Sequence, residues 1–312
     1  MCKDQGSRVG PEGGWSLGQL GEPSGGLEGY AVLVTGGGTG IGHGCAARLA
    51  ADGAAVTICG RTGARLAKSA ADIERCAGHG GSVQYVVADV TDEQSVRAAV
   101  EFATGPTGGL DGCVANAGGG GGMAPTHLLD TQEFLRVLHL NVLGTMLCAK
   151  HTIPHLVASG RGSFVGMSSI AGEISHLWFG AYPVAKAGLE MLIRTAADEY
   201  GPTGTRFNAI RPGFIATEIM EGIPREGPVY ESYLENTPMA ESREGGVGDA
   251  DDVGALARFL IGPDSRWITG QVINVDGGHH LRRGPDFTAF IEPALGMDTM
   301  LARTAPGGQG SA

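Results

Sequence analysis

The stretch Tyr30-Ala-Val-Leu-Val-Thr-Gly-Gly-Gly-Thr-Gly-Ile-Gly42 decides the fold, because an apolar run leads directly into a glycine-rich turn. Such a run is typical of a short strand buried on both faces. Glycines let the backbone approach a pyrophosphate, and the next helix offers free N–H groups at its N-terminus. The spacing is G-x-x-x-G-x-G, so its position between first strand and first helix carries the prediction. The predicted phosphate-binding residues are Gly36, Gly38, Thr39, Gly40, Ile41 and Gly42.

Apolar runs and helical patterns alternate from residue 27 onward. Thr91-Asp-Glu-Gln94 and Asp130-Thr-Gln-Glu133 fit helix caps, and the second opens a long helix that carries Asn141. This alternation favours right-handed crossovers and a parallel sheet with helices on both faces. We therefore predict an α/β fold with a single doubly wound Rossmann-type domain. The predicted strands span residues 30–35, 54–59, 82–87, 110–115, 162–168, 205–210 and 271–275, and the other predicted helices span 40–51, 62–78, 182–200 and 249–260.

Three segments are expected along the 312 residues. Residues 1–27 are rich in glycine and lack periodicity, which predicts a disordered extension. Residues 28–280 hold the whole strand and helix pattern and form the predicted dinucleotide-binding domain. Residues 281–312 are too apolar for a solvated tail, so we expect them to pack at a subunit interface or over a pocket. The apolar residues concerned are Phe287, Phe290, Ile291, Leu295 and Leu301.

Composition excludes several functional classes. Lys and Arg total 22 against 33 Asp and Glu, giving a net charge of −11 without any basic cluster. Such a chain is a poor candidate for binding nucleic acid or an anionic membrane. The six cysteines are scattered without metal-site spacing, which indicates free thiols and predicts no metal. No apolar run approaches the ~18 to 20 residues of a membrane span, and no signal segment is evident. We therefore expect a cytoplasmic protein.

Motifs after the later predicted strands resemble those of the short-chain dehydrogenase/reductase family. T-G-x-x-x-G-I-G at 35–42 is joined by Asn116-Ala-Gly118, by Asn141-Val-Leu-Gly144 and by Tyr182-Pro-Val-Ala-Lys186. A lone Y-x-x-x-K is common on surface helices, because positions i and i+4 are neighbours there. The order and joint occurrence of the motifs over residues 27–278 carry the resemblance. Further matches are Asp89-Val90, Ser168-Ser169, Arg211-Pro-Gly213 with Thr217, and the closing segment 269–278.

The resemblance implies a catalytic group of Asn141, Ser169, Tyr182 and Lys186, with Ser168 as the alternative serine. Moving a hydride between a carbinol carbon and nicotinamide requires a base for the hydroxyl proton. A free tyrosine has a pKa of about 10, so acting near pH 7 requires a lowering of roughly 3 units, about 4 kcal/mol. A positive charge at Lys186 favours the phenolate. The family pattern further implies that Lys186 holds the ribose, Ser169 orients the substrate oxygen, and Asn141 binds a relay water.

The cofactor preference depends on the end of the second strand, Gly60-Arg61. A carboxylate there commonly holds the ribose hydroxyls of NAD. This chain has Gly60 at that position and therefore no carboxylate, and Arg61 can pair with a 2′-phosphate. We therefore predict NADP, with NAD possible if Arg61 stacks on the adenine or points to solvent. The remaining cofactor-binding residues implied by the resemblance are Asp89, Val90, Asn116, Ala117, Gly118, Tyr182, Lys186, Pro212, Gly213 and Thr217.

The substrate is expected to be an apolar alcohol or ketone. His176-Leu-Trp-Phe179 lies between the catalytic serine and tyrosine, and residues 214–247 resemble the family's substrate loop. A lone loop histidine such as His176 is more often structural than catalytic. A 3-oxoacyl-thioester reductase is the alternative enzyme, and a silent dinucleotide-binding sensor or scaffold is the alternative outside enzymes. The resemblance also implies a homodimer or homotetramer. The apolar loop residues are Ile215, Met220, Ile223, Tyr230 and Tyr233.

Overall fold

Seven strands form one sheet in the computed structural model, which describes residues 26–217, 223, 227–284 and 286–303. All neighbouring strands pair in parallel, in the order β3-β2-β1-β4-β5-β6-β7. The predicted doubly wound α/β fold is therefore confirmed. Residues 1–25, predicted as an extension, lie outside the described residues. The strands are β1 (Ala31–Thr35), β2 (Ala55–Gly60), β3 (Ser82–Val87), β4 (Gly112–Ala115), β5 (Ser163–Met167), β6 (Arg206–Pro212) and β7 (Val272–Val275).

Helices cover both faces of the sheet. Ala31 and Leu33 of β1 face one core, whereas Val32 and Val34 face the other, as the two-residue period of a strand requires. The first core is closed by α3 (Glu93–Thr104), α5 (Gly144–Ser159) and α6 (Tyr182–Tyr200). The second is closed by α1 (Gly40–Ala51), α2 (Gly63–Glu74) and α8 (Ala250–Ile261). The remaining helices are α4 (Thr131–Leu138), α7 (Pro228–Asn236), α9 (Thr288–Leu295) and α10 (Met297–Met300).

Two helix ends differ from the sequence prediction. The cap proposed at Thr91 is wrong, because its hydroxyl donates to the Asp89 carboxylate at 2.7 Å. Asp92 caps α3 instead and accepts from the Gln94 N–H at 3.1 Å. The helix expected over residues 62–78 ends at Glu74. Glycines at 78, 80 and 81 favour a turn over a helix there. The cap at Asp130 is confirmed, since its carboxylate accepts from the Glu133 N–H at 2.8 Å.

The long helix that carries Asn141 contains a wide turn. After α4 ends, residues His139–Leu143 form a single π-helical turn, and α5 then begins. Asn141 lies in the middle of this turn and is fully buried. Such turns insert one extra residue into a helix and occur frequently at functional sites.

The C-terminal segment packs against the carboxyl-end side of the sheet. Phe287 and Ile291 are buried, whereas Phe290 and Leu301 are substantially exposed. The Trp178 indole N–H donates to the Thr288 hydroxyl at 2.9 Å, which ties α9 to the loop before α6. The described part of this segment therefore covers the loop that precedes α6. Within the described ranges, no helix is long and apolar enough to cross a membrane.

Candidate active site

The glycine turn after β1 fits tightly against the start of α1. Gly36 has a φ of +67° and Gly40 a φ of +52°, conformations that other residues rarely adopt. A Cβ added to Gly42 would lie 2.2 Å from the Gly36 carbonyl oxygen. The N-cap residue Thr39 makes no side-chain capping bond, so it leaves the first N–H groups of α1 without that partner. The turn therefore offers the kind of cradle that a pyrophosphate requires.

Asn116 fastens this turn to the end of β4. Its side-chain NH₂ donates to the carbonyl oxygens of Thr35 and Gly36 at 3.0 and 3.3 Å. The Thr35 hydroxyl accepts from the N–H groups of Asn116 and Ala117 at 3.1 and 2.9 Å. Four hydrogen bonds thus join two neighbouring strand ends. The side chain of Asn116 supports the turn, and its expected cofactor contact stays a prediction.

Tyr182 and Ser169 meet at the end of β5. The Ser169 side chain is close enough to the Tyr182 hydroxyl to lower its pKa, and it also accepts from the Ala171 N–H at 3.2 Å. Ser168 is buried and donates to the Glu190 carboxylate at 2.6 Å. The Ser168 hydroxyl is therefore already engaged by Glu190. This favours Ser169 over Ser168 as the residue that faces the substrate. Pro183 lies in the first turn of α6, where it removes no helical hydrogen bond.

Lys186 lies one helical turn after Tyr182. Its ammonium is buried, donates to the Met167 carbonyl at 2.8 Å and lies 5.4 Å from the centre of the Tyr182 ring. Burial lowers the pKa of Lys186 to about 8, while the Glu190 carboxylate acts in the opposite direction. The loop after β4 packs close to the Lys186 ammonium. A Cβ added at Gly118 would lie 3.2 Å from that nitrogen, so the close approach suits a glycine.

The Asn141 side chain forms hydrogen bonds with the loop after β4. Its oxygen accepts from the Gly119 N–H at 3.2 Å, and its NH₂ donates to the Gly119 and Val137 carbonyls, both at 2.9 Å. The amide is thus held entirely by backbone groups. Its expected part in a water relay through Lys186 stays a prediction.

The protein alone does not lower the pKa of Tyr182. Burial raises that pKa, and the Ser169 side chain opposes the rise. The lowering expected from Lys186 is therefore not achieved by the residues around the tyrosine in this structure. Formation of the Tyr182 phenolate at neutral pH would be favoured by a further positive charge nearby.

The predicted adenosine end lies beside β2 and β3. Arg61 is exposed and makes no ion pair or hydrogen bond within the part of the chain that the structure describes. The Asp89 carboxylate accepts from the Thr91 N–H at 2.9 Å, and this bond, more than the nearby Arg61 charge, lowers the Asp89 pKa. Arg65 was missed from the sequence. It is exposed in the first turn of α2, and a Cβ at Gly38 would lie 3.5 Å from its Cβ.

The opposite end of the predicted cofactor site follows β6. Pro212 ends that strand, and the Gly213 N–H donates to the Val275 carbonyl at 2.9 Å. Thr217 is half-buried in the segment that follows. Val90 is buried beside the wide turn, where a Cβ at Gly144 would approach its side chain to 2.9 Å.

Four aromatic side chains form a wall beside Tyr182, and we call Phe179, Phe214, Tyr233 and Phe287 the aromatic wall. The Phe179 ring centre lies 5.0 Å from that of Tyr182 and 5.1 Å from that of Phe287. Phe214 and Tyr233 stack in parallel at 3.9 Å. Of the predicted loop residues, Met220 lies outside the described residues. The wall provides an apolar and rigid surface beside Tyr182.

His176 packs against the Phe179 ring of the aromatic wall. It is buried, stacks on Phe179 with ring centres 6.0 Å apart, and its Nδ1 bonds the Ile174 carbonyl at 2.9 Å. Burial lowers the pKa of His176 to about 4, so the ring is neutral at physiological pH. These contacts favour the structural interpretation of this histidine.

A buried ion cluster beneath the site was also missed. The Arg211 guanidinium binds both carboxylate oxygens of Glu190 at 2.6 Å and pairs with Glu173 at 2.5 Å. Together with Ser168 at the end of β5, these residues connect β5, α6 and β6 close in sequence to Ser169, Lys186 and Pro212. A sequence signal exists only in part, because Glu190 follows Lys186 by one helical turn, whereas its pairing with Arg211 is non-local.

Comparison with known proteins agrees with this geometry. A family model described as enoyl-(acyl carrier protein) reductase matches residues 36–280. Cis-4-hydroxycyclohexanecarboxylate dehydrogenase of Sinomonas cyclohexanicum is 36% identical over 251 residues, 80% of this chain and 95% of that protein. Levodione reductase of Leifsonia aquatica is 33% identical over 253 residues, 79% of this chain and 92% of that protein. The structure of a short-chain type dehydrogenase/reductase from Mycobacterium ulcerans aligns with a TM-score of 0.84 at 42% identity, covering 88% of this chain and 98% of that one.

The chain therefore belongs to the short-chain dehydrogenase/reductase family, which confirms the resemblance carried by its motifs. The family consists of oxidoreductases that act on small alcohols and ketones with nicotinamide cofactors. The match spans nearly the whole length of the relatives named above.

Proposed function

We propose that this protein interconverts a secondary alcohol and a ketone on an apolar carbocyclic substrate, using NADP(H) in preference to NAD(H). The observation that carries this proposal is the placement of Ser169, Tyr182 and Lys186 directly beside the aromatic wall. The acid–base group faces an apolar surface, as a ring ketone would require. The cradle after β1 fits a dinucleotide pyrophosphate.

The chain's residues have separate tasks in this reaction. Bound nicotinamide supplies the hydride acceptor or donor, and its oxidised form brings a positive charge. The Tyr182 hydroxyl exchanges a proton with the substrate oxygen, and the Ser169 hydroxyl orients that oxygen. Lys186 favours the phenolate by its charge and holds the ribose. Asn141 fixes the loop after β4 and holds the relay water.

Two arginines support the preference for NADP(H). Arg61 lies at the carboxyl end of β2 without any direct partner among the described residues, and Arg65 lies nearby beside the glycine turn. An unpaired guanidinium is well suited to bind a phosphate through two parallel hydrogen bonds. Gly60 offers no carboxylate to hold ribose hydroxyls.

The carbocyclic substrate is supported by the wall and by the relatives. Flat aromatic faces offer a continuous apolar contact to a ring, whereas a sugar would leave polar groups unsatisfied there. One relative is named for a hydroxycyclohexanecarboxylate and another for a dione. A thioester substrate would add a carrier phosphate and favour a basic patch beside the pocket.

Titration with NADPH and NADH, followed by nucleotide fluorescence, tests the cofactor preference. We expect tighter NADPH binding, which Arg61→Asp weakens by about tenfold to 100-fold while NADH binding is kept. Arg266→Asp, an exposed arginine beyond α8, is the matched control. Equal affinity for both nucleotides in the unchanged protein would overturn the preference.

A substrate panel then tests the reaction. Reduction of cyclohexanone derivatives, and not of an acetoacetyl thioester, supports the proposal, and the opposite pattern supports the thioester reductase. Binding of cofactor without turnover of either class supports the silent sensor.

We also propose that the protein is a homodimer or homotetramer in the cytoplasm. Light scattering tests the oligomeric state, and cell fractionation tests the location.

A further inference from the structure

Tyr233 carries a hydroxyl for which the described residues supply no hydrogen-bond partner. The residue is only 7% exposed, yet no hydrogen bond from its hydroxyl is found among the described residues. Tyr230, one turn earlier on α7, differs in this respect, because its hydroxyl donates to the Gly245 carbonyl at 2.6 Å. A largely buried tyrosine whose hydroxyl has no described protein partner can offer that hydroxyl to a ligand beside it.

The Tyr233 ring is held in one orientation by three neighbours. Phe214 lies parallel to it at 3.9 Å and an angle of 4°. His279 and Phe287 meet it edge-on, with ring centres 5.6 and 6.4 Å away. These three ring contacts restrict the movement of the Tyr233 side chain. The orientation of the hydroxyl is therefore built into the packing of the wall.

The hydroxyl belongs to the same site as the catalytic tyrosine. The rings of Phe287 and Phe179 connect Tyr233 to Tyr182, with successive ring centres 6.4, 5.1 and 5.0 Å apart. Burial raises the pKa of Tyr233, and the neighbouring Tyr182 raises it further. Tyr233 is therefore a neutral donor at physiological pH. The site contains one hydroxyl with a role in proton exchange and a second that the proposed chemistry does not use.

We propose that the Tyr233 hydroxyl is a second polar anchor, which binds an acceptor oxygen carried by the substrate ring away from the reacting carbon. The substrate class becomes a ring ketone or alcohol with a second oxygen function, such as a hydroxyketone, a diketone or a keto acid. This inference rests on the proposed function. A site built around such a hydrogen bond rejects the analogue that lacks it, since the buried hydroxyl then stays unpaired.

The test compares Tyr233→Phe with the unchanged protein on two ketones of the same shape. These are 4-hydroxycyclohexanone and 4-methylcyclohexanone, in which a methyl group replaces the second oxygen. We expect Tyr233→Phe to lower kcat/KM for the hydroxyketone, mainly through KM, by about tenfold more than for the methylketone. Tyr230→Phe is the matched control, and it should change both substrates by the same factor. Circular dichroism checks that each variant is folded.

Two results separate the failure of this inference from the failure of the proposed function. If the unchanged protein reduces both ketones and Tyr233→Phe alters them by the same factor, the second anchor is refuted while the ring-ketone activity stands. If the unchanged protein reduces neither ketone with either nucleotide, the proposed ring substrate is refuted, and the anchor falls with it.

Discussion

The two sides of the site are built in different ways. On the cofactor side, the turn after β1 is held by backbone groups and by the short polar side chains of Thr35, Ser69 and Asn116. On the substrate side, the aromatic wall brings together rings from four segments that lie far apart in the sequence. The cofactor side is thus specified by backbone conformation and the substrate side by side-chain packing.

This difference explains which side can vary within one fold. NAD and NADP share the same pyrophosphate and nicotinamide, so short loops of fixed conformation suffice to bind that common part. A substrate pocket must differ between enzymes, and side chains from separate loops can be exchanged one at a time. We therefore expect substitutions on one side to leave the other side nearly unaffected.

Tyr182→Phe should have the largest effect. Loss of the proton-exchanging hydroxyl should lower kcat by about 1,000-fold, while NADPH affinity stays within about twofold, because acid–base groups contribute roughly 10²–10⁴-fold to rate. Steady-state kinetics and fluorescence titration measure the two quantities. Tyr200→Phe, at the other end of α6, is the control. Normal turnover in Tyr182→Phe would disprove the catalytic assignment.

Gly42→Ala should act on cofactor binding. The new methyl group would meet the Gly36 carbonyl and the Asn116 amide, at 2.2 and 2.5 Å from its ideal position. Forcing these groups apart costs about 1–3 kcal/mol, which predicts NADPH binding weakened by roughly tenfold to 100-fold. Gly188→Ala is the control, since its nearest neighbour would be Val142 at 3.6 Å. Unchanged NADPH affinity would contradict the phosphate cradle.

Phe287→Ala should act on the substrate side alone. It removes a ring that contacts Phe179 and Tyr233, so KM for an apolar ketone should rise about tenfold and the free energy of unfolding fall by about 3 kcal/mol. NADPH affinity should stay the same. Urea unfolding and kinetics measure both effects, with the partly exposed Phe290→Ala as control. A matching loss of NADPH affinity would show that the two sides are coupled.

His176 should make the wall sensitive to acid. Its pKa of about 4 in the folded protein is below the value near 6.5 of an unfolded histidine, because burial disfavours the charged ring. As pH falls, His176 is therefore protonated in the unfolded chain before it is protonated in the folded protein. The free energy of unfolding that neutral His176 contributes above pH 6.5 is lost progressively as pH falls from 6.5 to 4. The free energy of unfolding should fall by about 2 kcal/mol more between pH 7 and 5 than in His176→Phe. Urea unfolding at each pH measures this, with the exposed His127→Gln as control; parallel curves would rule the effect out.

Local signals explain what could be predicted from the sequence. The helix bounds Gly40–Ala51 and Tyr182–Tyr200 agree with the prediction, because a glycine turn and a first-turn proline mark their starts. The sheet followed from the alternation of strands and helices. The prediction of Thr91 as the helix cap was wrong because Thr91 and the adjacent Asp92 are both suitable caps. The Thr91 hydroxyl bonds the Asp89 carboxylate, so Asp92 takes the capping position.

Non-local contacts could not be predicted. Glu190 and Arg211 pair across 21 residues, and Tyr233 meets Phe287 across a longer separation. No pattern in a single chain reveals such pairs, because neither residue shares a helix face or strand register with the other. The C-terminal segment was expected at an interface or over the pocket, and the described part contacts the wall. The roles of the individual site residues stay predictions until they are tested.

The wide turn at His139–Leu143 fixes the phase between two helices. Each residue advances a helix by about 100°, so one extra residue rotates α4 relative to α5 by about that angle. Val137 of α4 can then pack on Ala185 of α6, while Leu147 of α5 points into the core beneath the sheet. Removing one residue would turn one of these faces to solvent. The chain can therefore exchange side chains along this stretch far more readily than it can change the number of residues in it.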